Sequence, residues 1–135
     1  MLAHDHPLAE NDELSLEDLE QEPMILLDIP LSRDYFLSMF HSTGMRPEIA
    51  ERTTDMAVAR SLVANGFGFG LINIRPKTPL APDGEKLVFL PFSGDHRPMV
   101  LGLATKRSDH RSRIVSAFHE HVQDRVRQSG LPGLA

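Results

Sequence analysis

The chain has 135 residues and a mass of 15.1 kDa, which fits one compact domain and not two full ones. With 41% hydrophobic and 24% charged residues it lies near globular averages, so wholesale disorder is excluded. The lack of cysteine removes disulfides, thiolate metal sites and cysteine nucleophiles together.

Charge narrows the function further. A net charge of −5 and a pI of about 5.7 have the wrong sign for a domain that grips nucleic acid through its phosphates. Nine of the 19 acids fall between Asp5 and Asp28, and no Lys or Arg precedes Arg33. Six of the 14 bases lie between Lys106 and Arg127, interleaved with Asp109, Glu120 and Asp124, as on a solvated helix face. No apolar run approaches the ~18 residues of a membrane span. The opening MLAHDHPLAEND lacks the basic start and apolar stretch of a secretory signal, so a cytoplasmic location is expected.

In chain order, Ser15 to Glu22 reads as a short helix opened by Ser-x-x-Asp and stopped by Pro23. Met24-Ile-Leu-Leu-Asp28 is a continuous apolar run, the pattern of a strand buried on both faces. After Ile29-Pro30-Leu31, Ser32 reads as the N-cap of a helix whose Tyr35, Phe36, Met39 and Phe40 share one face, with Gly44 as its stop. Glu48 to Thr53 alternates weakly as a strand. Thr54 or Asp55 then caps a helix with a Met56, Ala59, Leu62, Val63 stripe, ended by Asn65-Gly66. Phe69 to Ile74 reads as a strand and Lys77 to Lys86 as a loop. Leu87 to Leu90 and Val100 to Ala104 are two further strands around a turn at Ser93-Gly94-Asp95. A last helix runs from about Ser108 to Gln128, with Val115, Phe118, Val122 and Val126 facing inward, before a fraying tail.

The order α-β-α-β-α-β-β-β-α predicts an α/β domain with a mainly parallel sheet. Ligands in such sheets sit beyond the strands' carboxyl ends. Here those ends are Asp28 to Arg33, Arg52 to Asp55, and Asn73 to Arg75.

Most candidate chemistry dissolves on inspection. Gly66-Phe-Gly-Phe-Gly70 follows a helix and opens a strand, the reverse of a dinucleotide loop. His4-x-His6 and His119-x-His121 have no thiolate or carboxylate at ligand spacing, so the histidines read as surface residues and no metal or cofactor is expected. No Gly-x-Ser-x-Gly elbow supports a hydrolase.

Ser32-Arg33-Asp34-Tyr35 is the exception. It joins a hydroxyl, a guanidinium and the backbone N–H groups of a helix start, a combination suited to a carboxylate. The dipole alone contributes about 0.3–1 kcal/mol, so Arg33 must add a charge-assisted bond. The plainer alternative is simple capping by Ser32, with Arg33 paired to Asp34 or another surface acid. Thr53-Thr54-Asp55 offers a second helix start of the same kind.

His6-Pro7-Leu8-Ala9, Ser15-Leu16-Glu17-Asp18-Leu19 and Glu22-Pro23-Met24-Ile25-Leu26-Leu27-Asp28 together resemble the middle of a LysR-type transcriptional regulator. Ala59-Arg60-Ser61-Leu62-Val63-Ala64-Asn65-Gly66-Phe67-Gly68, Leu71-Ile72-Asn73 and the run from Leu87 to Ala104 continue the resemblance in order over nearly the whole chain. It implies the effector-binding part of such a regulator, with a type 2 periplasmic-binding-protein-like fold of two lobes around a cleft. Residues 1–98 would be mainly the second lobe, with 1–6 and 91–98 as crossover segments. Residues 99–128 would return a strand and helix to the first lobe, and 129–135 would be a flexible tail. The winged helix-turn-helix and most of the first lobe would lie outside the chain. By the same resemblance Ser32, Arg33, Tyr35, Thr54 and Asn73 would face a small, anionic effector, with a carboxylate the expected class. Self-association or pairing with other regulator subunits would follow, and no catalysis. Two other readings stay open: a standalone partner of full-length regulators, and a small enzyme on the same fold.

Overall fold

The computed structural model describes residues 1–97, 99–100, 102–105 and 112–129. Its elements are β1 (Leu2–Ala3), β2 (Met24–Leu27), α1 (Ser32–Ser42), β3 (Ile49–Thr53), α2 (Met56–Ala64), β4 (Leu87–Val88) and α3 (Arg113–Ser129), with 3-10 turns at Pro7–Glu10 and Glu17–Leu19. The chain divides into two compact units. The first holds Met1–Ile72 and Pro76–Arg97; the second holds Asn73–Arg75 and Pro98–Ala135.

The first unit is organised by β2. All four of its residues are buried, as a continuous apolar run requires. β3 lies parallel to it, with Leu27 opposite Thr53. On the other side Phe69 takes a single bridge: Ile25 N–H donates to the Phe69 carbonyl at 2.8 Å, and Phe69 N–H to Pro23 at 2.8 Å. Gly68 permits this approach, because a Cβ there would overlap the Pro23 carbonyl.

The period of two then sorts the core. Met24 and Leu26 join Phe36 and Phe40 of α1 with Leu14, Leu16, Leu19 and Phe69. Ile25 and Leu27 join Ala59, Val63 and Ala64 of α2 with Ala81 and Leu87. One helix thus covers each face of the sheet. Fully burying one side chain such as Phe40 contributes about 1.5–3 kcal/mol. Antiparallel pairing of β1 with β4, Leu2 opposite Val88, adds a second two-stranded sheet.

Several expectations change. The strands form two separate two-stranded sheets, one parallel and one antiparallel, and not a single mainly parallel sheet, because β1, whose two residues carry no periodic signal, pairs antiparallel with β4 alone. The Ser15–Glu22 helix contracts to the 3-10 turn at Glu17–Leu19. The buried Leu16 and Leu19 lie three apart, a spacing that a single 3-10 turn satisfies, and Pro23 begins the next strand's approach. The Ser15–Asp18 exchange still forms: Ser15 N–H and Oγ–H donate to Asp18 Oδ2, and Asp18 N–H donates to Ser15 Oγ, at 2.8, 2.8 and 3.3 Å. The strand expected at Phe69–Ile74 reduces to the Phe69 bridge. Gly70 turns its hydrogen bonding to Met1, and Asn73–Arg75 belong to the other unit. Leu87–Leu90 shortens to β4, and among the described residues of Val100–Ala104 no strand forms. His6 is a capping group and not a surface histidine: its Nδ1 accepts Leu8 N–H at 3.1 Å, and its Nε2 lies 3.3 Å from Glu22 Oε2.

The second unit is dominated by α3. Its expected start at Ser108 lies outside the described residues. Its stripe does not face inward: Ile114, Val115, Phe118 and Val126 are exposed, Phe118 at 59%, and Val122 is half-buried. No described residue of this unit is buried, so none of its described residues covers the apolar face.

Candidate functional site at the carboxyl end of the sheet

Parallel pairing of β2 with β3 sets their carboxyl ends side by side, and the turns into α1 and α2 follow there. Leu31, not Ser32, holds the cap position of α1, at φ +71° with its side chain 82% exposed. Helical bonding begins upstream of Ser32: Arg33 N–H donates to the Ile29 carbonyl and Tyr35 N–H to the Leu31 carbonyl, both at 2.9 Å. Ser32 is therefore a first-turn residue, and its hydroxyl has no partner among the described residues. The expected N-cap role is corrected accordingly.

Arg33 bridges two acids. Its Nη1 donates to Asp28 Oδ1 at 2.9 Å and its Nε to Asp34 Oδ1 at 2.9 Å. Arg52, from β3, reaches the other oxygen of Asp28 at 3.4 Å. Asp28 is anchored from behind, since its N–H donates to the Thr53 carbonyl at 2.7 Å. The Arg33 hydrogen bond holds the Asp28 carboxyl below the usual carboxylate range; desolvation opposes it in part, and the charge of Arg33 and then Arg52 add lesser lowering effects. The hydrogen bonds from Arg33 to Asp34, then to Asp28, raise the guanidinium's pKa in turn. Two arginines and two aspartates leave this cluster close to neutral.

Thr54 is exposed in the neighbouring turn. The cap of α2 is Asp55, whose Oδ1 accepts Ala57 N–H at 2.7 Å, and whose N–H donates to Thr53 Oγ1 at 3.1 Å. Tyr35 turns towards the core: its half-buried ring meets Phe36 edge-on, with centroids 5.3 Å apart. Asn73 belongs to the second unit, where its amide donates to the Met99 sulfur at 2.6 Å. The structure thus gathers Ser32, Arg33 and Thr54 at one end of the first unit, whereas Asn73 belongs to the second unit.

Sequence reasoning bracketed Asp28 and Arg52 within the strand ends but did not join them. Their pairing across 24 residues has no local signal and follows from strand register alone. Two open grooves also mark the first unit. One, of about 570 Å³, is lined by α1 and β3 residues including Leu37, His41, Arg46 and Arg52. The other, of about 330 Å³, lies over Val58, Leu62 and Phe67. Neither is lined by Ser32, Arg33 or Thr54.

An α/β unit with helices on both sheet faces and its polar cluster at the strands' carboxyl ends is the architecture of a periplasmic-binding-protein-like module. The LysR substrate binding domain family matches residues 1–127, and the chain belongs to it. The HTH-type transcriptional regulator CysB of Haemophilus influenzae is 28% identical over 130 residues, 96% of this chain and 39% of that protein. The crystal structure of HinK, a LysR family transcriptional regulator from Pseudomonas aeruginosa, superposes with a TM-score of 0.68 at 39% identity, over 70% of this chain and 33% of that one. The effector binding domain of QuiR in complex with shikimate shares the fold at TM-score 0.73 and 20% identity, over 96% of this chain and 61% of that one. The chain therefore spans about two-fifths of CysB and about three-fifths of the QuiR domain.

Proposed function

We propose that the chain is the effector-sensing part of a LysR-type regulator, binding a small carboxylate metabolite to control transcription. The observation that carries this reading is Arg33: in a chain of this family, its guanidinium stands in the first turn of α1, beside the carboxyl end of β2. Ser32 and Thr54 supply hydroxyls at the same end, and Tyr35 and Asn73 complete the proposed set. Shikimate, the ligand of the QuiR domain, is itself a small carboxylate. Residues 1–98 form mainly the second lobe in this reading, and 99–128 return to the first. DNA is engaged only through a domain outside these residues. The reading needs no cofactor, assigns no catalytic step and places the chain in the cytoplasm.

A switch of this kind works only if the effector binds two arrangements unequally. A thermal-shift screen of small carboxylates tests the reading. Wild type gains several degrees with a bound effector at about 100 times its Kd. Arg33→Gln loses that gain while keeping its own ligand-free Tm within a few degrees. Stabilisation that survives Arg33→Gln would place the ligand elsewhere.

A second reading follows from the exposed stripe of α3: a partner protein that docks on other regulator subunits. It expects heterodimers and no carboxylate-dependent stabilisation.

A further inference from the structure

The Arg33 cluster is already neutral without a ligand, which bears on how an anion enters it. Resting on the effector reading above, we infer that Asp34 is a built-in counter-ion, which an effector carboxylate displaces from Arg33 while Asp28 keeps the guanidinium in place.

The two aspartates are not equivalent. Asp28 has a side chain only 25% exposed, is bonded to both Arg33 and Arg52, and is fixed through its N–H to β3. Asp34 is 67% exposed, adjoins Arg33 in sequence and has no other side-chain partner among the described residues. An exposed pair of this kind is the weak class of ion pair.

The geometry of the guanidinium says what the exchange gains. Arg33 carries five N–H donors. Asp28 uses Nη1 and Asp34 uses Nε, so Nη2 is left without a partner among the described residues. Nε and Nη2 form one edge of the planar fork, and Asp34 fills half of that edge with a single oxygen. A ligand carboxylate takes the whole edge with two parallel bonds. Asp34 swings into solvent and still lies in the first turn of α1, where a negative charge is favoured. Charge balances throughout: one carboxylate leaves Arg33 and one arrives. The site is thereby selective for anions able to form both bonds, and Asp34 sets the threshold concentration.

The test is a titration of 15N-labelled protein followed at the Arg33 Nε–H resonance. Benzoate is the probe, and benzamide is its uncharged counterpart. Asp34→Asn binds benzoate about twofold to fivefold more tightly than wild type, the range of an exposed ion pair. Benzamide responds equally in both, and Asp34→Glu, which keeps the charge, stays near wild type. Benzoate that reaches Arg33 equally well or more weakly in Asp34→Asn overturns the exchange and leaves the effector reading standing. Benzoate that moves the Arg33 resonance in neither protein overturns the exchange, and together with a carboxylate screen that stabilises nothing it overturns both.

Discussion

Asp28 sits where β2 stops, held from one side by Arg33 and from the other by Arg52. Its depressed pKa gives stability a pH dependence of known sign. A carboxyl whose folded pKa lies below its unfolded value of about 3.9 stabilises the fold above that value. The contribution disappears as pH falls through the folded pKa. Asp28→Asn is therefore less stable than wild type at neutral pH. The gap between their thermal midpoints closes on acidification below about pH 4. A gap that stays constant down to acid would show that the ion pairs contribute nothing. Arg33 and Asp34 were both legible as neighbours in a charged helix start, and the alternative of an Arg33–Asp34 pair is what forms. Arg52 was legible only as a strand-end residue, because its partner is 24 positions away.

At the scale of elements, local signals succeeded where a short motif and its packing agreed. Asp55 is one of two expected caps for α2. It wins over Thr54 because its carboxylate reaches Ala57 N–H while its own N–H is held by Thr53 Oγ1. Removing that cap in Asp55→Ala costs about 1 kcal/mol, read as a lower midpoint in urea unfolding, and Asp55→Ser recovers most of it. An unchanged midpoint would mean that packing of Ala59 and Val63 holds the first turn by itself. The α1 and α2 stripes were legible because Phe36, Phe40, Ala59 and Val63 recur at helical spacing and are buried. Ser32 misled for a physical reason. A capping hydroxyl is a statement about one residue, whereas the start of a helix depends on which upstream carbonyls accept. Here Ile29 and Leu31 already do.

At the scale of the whole molecule, α3 presents an exposed apolar stripe. An amphipathic helix that leaves Ile114 82% and Phe118 59% exposed presents apolar area that water disfavours. We propose that this stripe drives self-association or pairing with another regulator subunit. Sedimentation equilibrium then finds a mass that rises with concentration in the micromolar range. Phe118→Glu shifts the protein towards monomer with little effect on the first unit's unfolding. A wild-type protein that stays strictly monomeric would refute the stripe's role.

Local patterns along the chain were enough for the buried run at Met24–Leu27, the two apolar helix stripes, the stop at Gly44, the cap at Asp55, and the family, whose signature is spread in order along the chain. These depend on periodicity and on residues within a turn of one another. The remaining features arise from long-range pairing. Pairing of β1 with β4 joins residues more than 80 positions apart in two-residue strands, too short for any periodic signal. The charge balance around Asp28 depends on parallel register. Burial of the α3 stripe depends on whether a neighbour is there to cover it, and no pattern within a helix can encode that.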